Sequence, residues 1–225
     1  MIPLHSRKEK RLFGQGHSCV EHLKLAKDPV TIAKMIYDHV FDGLPVRSGD
    51  ILCTQDGERG ESPSLFGQIW RVLGMLLPGE IDHCLMYVGP GGRCIESAAR
   101  GVIVFEIPGE TWNSAPLKKE RLLIDTLVGA AYPLAERGLS DGEERRIRLE
   151  VIQYCLERAS GRKPYNLNYF NPLRDGAFYC SQLVYRAYLA SGIDLDIDRS
   201  ASLLERIVFP DEIWNACPHR RVEVG

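Results

Sequence analysis

A chain of 225 residues with 44% hydrophobic content can bury a substantial single core, and it carries no long polar linker, so one enzyme-sized domain is expected rather than two. A formal net charge of -2 gives no electrostatic reason for a nucleic-acid partner. The short basic cluster Arg7, Lys8, Lys10 and Arg11 reads as a solvated terminus rather than a binding patch.

In chain order, Asp28-Pro29 opens an expected helix whose apolar face is Val30, Ile32, Met35, Ile36 and Val40, with His39 as a surface or packing residue. Residues 1–44 are therefore read as an N-terminal helical extension packed on a main domain, 45–225. Ser48-Gly49-Asp50 leads into a strand over 51–54, then a polar loop over 57–63. From Ser64 to Leu77, Leu65, Ile69, Leu73 and Leu76 recur at helical spacing, with Trp70 and Met75 alongside, which fits either a core helix or a lid over an active site. His83 to Val88 reads as a strand running into the turn Gly89-Pro90-Gly91-Gly92, followed by a second strand, Arg93 to Ser97. No lysine-serine or lysine-threonine pair follows those glycines, so they are a turn and not a phosphate loop. A four-residue loop pairs Val88 with Arg93, Tyr87 with Cys94 and Leu85 with Glu96. His83 and Glu96 then share one face, the carboxylate diagonal to the imidazole, whereas Cys84 and Cys94 face opposite ways and cannot pair. Val102 to Phe105 extends the sheet and Arg121 to Ile124 is expected to add a strand. Ser140-Asp141-Gly142-Glu143 has capping-box spacing and starts a helix ending near Ala159, which Gly161 can terminate. A final helix carries Cys180 in its first turn, with Leu183, Val184, Ala187 and Tyr188 on one face and the other face left to solvent.

Seven cysteines, at 19, 53, 84, 94, 155, 180 and 217, are an odd number without regular spacing. With no apolar segment after the basic residues at the start and no run long enough to cross a membrane, they imply reduced thiols in a cytoplasmic protein. Neither a Cys-x-x-Cys pair nor a His-Glu-x-x-His helix occurs, so no metal site and no cofactor is expected. Among the seven, Cys180 stands out. A helix N-terminus favours a thiolate, and a histidine partner favours it further, so Cys180 is the one cysteine expected to have a depressed pKa. His83 is the candidate base and acid, and Glu96 the group that orients it.

The order Gly49-Asp50-Ile51-Leu52, His83 on a strand, Ile95-Glu96-Ser97-Ala98, Lys163-Pro164-Tyr165-Asn166 and Tyr179-Cys180-Ser181-Gln182-Leu183-Val184 resembles the circularly permuted branch of the NlpC-type, papain-like superfamily, in particular its YiiX-like members. The resemblance spans about residues 45 to 215 and includes Phe209-Pro210-Asp211. Gln182 stands where that family more often shows an acidic residue, and the segment between Asp50 and His83 is long. The resemblance implies a permuted papain-like α+β fold, with an antiparallel sheet packed on the cysteine helix, and makes 45–225 its catalytic domain. It also implies a cysteine peptidase or amidase acting on small peptides of the cell-wall stem type, with Tyr165 and Tyr179 bordering the substrate cleft. Two alternatives stay open: a lipid acyltransferase or thioesterase-like enzyme, for which 64–77 would wall an acyl site, and a non-catalytic binding module on the same fold.

Overall fold

The computed structural model describes residues 35–56, 79–171, 173–195 and 207–223. The segment 64–77, expected as a helix or lid, lies outside the described residues, as does most of 1–44.

The first described element departs from expectation. Val40 is not on a helix: Asp38–Phe41 is a strand, β1, paired antiparallel with β2, Leu44–Arg47. Asp42 and Gly43 between them both have positive φ, 46° and 80°. An Asp-Gly pair in a two-residue loop is a strong hairpin signal, and here it overrides the apolar spacing that suggested a helix. His39 does pack, edge-on to Phe41 and stacked on Tyr87, and its Nε2 lies 3.0 Å from the Gly109 carbonyl.

Six further strands form one sheet: β3 Ile51–Asp56, β4 His83–Gly89, β5 Arg93–Ala98, β6 Gly101–Glu106, β7 Asp125–Ala131 and β8 His219–Arg221, in the order β6-β5-β4-β3-β7-β8 with every pair antiparallel. Tyr87 pairs with Cys94 as expected, but Arg93 pairs with Gly89, which leaves Val88 in a bulge. The bulge falls on the turn side of Tyr87, so the alternation between His83 and Glu96 is undisturbed. Arg121 to Ile124 is not a strand. Lys118–Arg121 is a single helical turn, α1, closed by Leu122 in the left-handed conformation, and the strand begins four residues later at Asp125. The run of small residues Gly129-Ala130-Ala131 disguises that strand. A Cβ on Gly129 would lie 2.2 Å from the Arg220 carbonyl oxygen, so the close approach of β8 requires glycine there.

Helix α2, Asp141–Ser160, has the expected cap: Ser140 Oγ accepts from the Glu143 N–H while Glu143 Oε2 accepts from the Ser140 N–H at 2.9 Å. Helix α3, Cys180–Ala190, packs against α2 and across β4 and β5. Its outer face is not left to solvent; Ser181, Gln182 and Tyr185 are buried along with the apolar face. A short helix, α4, Pro210–Asn215, follows. The two sides of the sheet carry separate cores. Ile51, Cys53, Cys84, Met86 and Ile95 point to α2 and α3, and Leu52, Leu85, Tyr87, Cys94 and Phe105 point to the β1–β2 hairpin and Trp112. The fold is α+β, an antiparallel sheet sandwiched between two helices and a hairpin layer. No helix among the described residues is long and apolar enough to cross a membrane.

Candidate active site

Cys180 is the first residue of α3, so its own N–H has no acceptor within the helix. Three ties fix that end of the helix. The Ser97 hydroxyl donates to the Phe178 carbonyl at 2.6 Å, the Ser181 hydroxyl donates to the Val208 carbonyl at 2.6 Å, and Gln182 Oε1 accepts from the Tyr179 N–H at 3.1 Å. Gln182 also accepts from Asn166 Nδ2 at 2.9 Å and donates to the Arg174 carbonyl at 3.1 Å. Gln182 is thus a buried brace between the loop after α2 and the cysteine helix. A carboxylate could accept the first two bonds but not make the third.

His83 opens β4 and Glu96 sits on β5, on the same side of the sheet. Their side chains meet, with Nε2 to Oε2 2.8 Å. A carboxylate only accepts, so Nε2 carries the proton and Nδ1 is left for the thiol. His83 interacts with Cys180, which approaches from the helix side. Burial opposes charge on the imidazole, but the Cys180 thiolate and Glu96 outweigh it and raise its pKa to about 10. Cys180, 6% exposed, is shifted the other way, well below an ordinary thiol. The largest cause is its contact with the Cys84 thiol, and His83 adds to it; together they overcome burial. The six cysteines among the described residues are free, and the other five are raised, chiefly by burial. Both shifts favour thiolate and imidazolium over the neutral pair.

Glu96 is held in turn. Arg121 donates Nε to Glu96 Oε1 at 2.9 Å and NH2 to Oε2 at 2.6 Å, and on its other side reaches Asp125 Oδ1 at 2.8 Å. Burial alone would raise the Glu96 carboxyl; Arg121 and His83 more than offset this and hold it below its usual range.

Tyr165 and Tyr179 meet different fates. Tyr165 is half-buried near Cys180, held by a bridge to Phe178 and by a 2.9 Å hydrogen bond between its hydroxyl and that of Tyr169. Tyr179 is buried and its hydroxyl accepts from the Val208 N–H at 3.2 Å, so it supports the helix end from beneath instead of walling an open cleft. Asp211, from the Phe-Pro-Asp motif, accepts from the Ile81 N–H at 3.2 Å and so anchors the approach to β4. Sequence reasoning missed Cys84, Arg121 and Asp125. Cys84 alternates to the opposite face from His83, where period-2 logic removes it from the site, but the cysteine helix lies on that face. Arg121 was hidden inside a run read as strand. No cluster among the described residues has the make-up of a metal site.

No family model matches the chain, and neither the curated proteins nor the solved structures contain a match.

Proposed function

We propose that this chain is a cysteine hydrolase of the permuted NlpC-type, papain-like kind, cleaving amide bonds in small peptides such as cell-wall stem-peptide fragments. The observation that carries the reading is the line Cys180, His83, Glu96, in which the one thiol of the six described whose pKa is lowered meets a histidine oriented by a buried carboxylate. The Cys180 thiolate attacks the carbonyl carbon, and the displaced charge collects on the carbonyl oxygen beside the N–H groups that open α3. His83 gives the Nδ1 proton to the leaving amine, which departs and leaves a thioester on Cys180. It then takes a proton from water as the water attacks that thioester, restoring the thiolate.

A second reading, acyl transfer or hydrolysis of acyl esters, draws on a separate observation. Leu167, Phe170 and Leu173 are 66%, 48% and 59% exposed on the loop that carries Tyr165 and Tyr169 towards the cysteine. An apolar rim of this kind suits an acyl chain better than a stem peptide.

The test is intact-mass spectrometry after rapid quench with peptide amides and with acyl esters. A thioester adduct that maps to Cys180 and is lost in Cys180→Ala is expected, and the donor class that forms it selects between the readings. No adduct from either class, with Cys180 alkylated no faster than the other thiols at pH 6, would refute both.

A further inference from the structure

Arg121 has no part in the chemistry above and no exposure to substrate, yet it is fully buried between two carboxylates. Its guanidinium lies 4.2 Å from the Phe105 ring centroid, and both of its edges are used, one on Glu96 and one on Asp125. Asp125 is fixed independently, accepting from Thr54 Oγ1 at 2.9 Å and from Trp112 Nε1 at 3.3 Å. Thr54 in turn sits opposite His83 in the β3–β4 pairing. The chain of contacts thus closes on the strand position beside the imidazole.

We infer that Arg121, seated on Asp125, is a positioning residue for the Cys180–His83 pair, keeping Glu96 an oriented carboxylate so that His83 Nε2 has one fixed acceptor. The inference rests on the functional reading above and deepens it. Without the cation, a wholly buried carboxyl takes up a proton more easily. A protonated Glu96 donates to Nε2, the ring changes tautomer, and the proton moves to Nδ1, where the imidazole can no longer accept one from the thiol. The two-pronged grip also fixes the carboxylate plane, which a lysine ammonium would not do.

The experiment measures the rate at which iodoacetamide labels Cys180 in the full chain between pH 4.5 and 9, read by peptide mass spectrometry, with folding checked by circular dichroism. Arg121→Met should shift the acid limb of the labelling profile upward by about one pH unit or more. In a Glu96→Gln background the same substitution should shift nothing further, because Arg121 acts through Glu96. If Arg121→Met does not fold, Arg121→Lys decides, with an expected slower rate and a partial shift. A folded variant whose profile superimposes on the wild type overturns the inference, as does a full second shift in the Glu96→Gln background. If wild-type Cys180 itself labels no faster than the other cysteines, the functional reading has failed; if it labels fast and the variants match it, only the role of Arg121 has.

Discussion

Cys180 meets the sheet at two adjacent residues of one strand, and they do different things. His83 supplies the proton and the positive charge. Cys84, pointing to the helix side, adds a thiol whose own ionisation is opposed by burial and by its charged neighbour, so it stays protonated and can donate to the thiolate. Cys84→Ala should therefore raise the Cys180 pKa and slow its labelling at pH 6, whereas Cys84→Ser, which keeps a donor, should retain most of the rate. Equal rates for Cys84→Ala and wild type would show that His83 alone sets the thiolate. At this scale the sequence was informative where alternation is local: His83 and Glu96 are separated by one tight turn, so period-2 counting placed them correctly. Arg121, held by Asp125, reaches Glu96 from a later segment through tertiary packing, which no local pattern encodes.

At the scale of elements, the site is held by clamps between pieces far apart in sequence. The start of β6 and the loop after α2 are one such pair. The Val102 N–H donates to the Lys163 carbonyl at 2.8 Å, and the Phe178 N–H to the Pro164 carbonyl at 3.1 Å, which brings Tyr165 alongside the chain entering the cysteine helix. Gly101 makes the approach possible: its φ is +80° and a Cβ there would lie 2.4 Å from the Lys163 carbonyl oxygen. Gly101→Ala should cost about 1 to 3 kcal/mol from the strained backbone alone. It should also loosen Tyr165, measurable as a lower melting temperature together with faster protease cleavage in the 163–174 loop. A variant as stable as wild type would mean that the loop moves aside freely and does not brace the site. The helix boundaries were readable because caps are local chemistry, as Ser140, Glu143 and Gly161 illustrate. The strand at Asp125 was not, because its second half, Gly129-Ala130-Ala131, is small where β8 packs closely and lacks the branched side chains that mark strands.

Across the whole molecule, the buried ion pair leaves a signature in stability against pH. Taken singly, the raised His83 pKa contributes stability that is complete below its unfolded value of 6.5 and is lost as pH rises through about 10. The depressed Cys180 pKa contributes stability that is complete above its unfolded value of 9.0 and is lost as pH falls. Between those unfolded values the folded pair holds one proton, on His83, and the unfolded chain also holds one, on the thiol, so the two dependences cancel. Below 6.5 the unfolded chain gains a second proton that the folded pair refuses, and stability falls with acid at about 1.4 kcal/mol per pH unit. Above 9.0 the unfolded pair holds none while His83 keeps its own until about 10, so stability falls again, and the five other buried thiols, all raised, steepen that fall. The expected curve from urea denaturation is a plateau from about pH 6.5 to 9 with a shoulder on either side. Glu96 and Asp125, both held below their usual range, add to the acid side only nearer pH 4. The double variant His83→Gln, Cys180→Ala should flatten the limb between pH 5 and 6.5 while leaving the steeper loss near pH 4 and the alkaline loss that the five raised thiols carry. If it keeps the limb between pH 5 and 6.5, the thiolate and imidazolium are not the resting state, and a neutral pair that ionises only when substrate arrives takes their place.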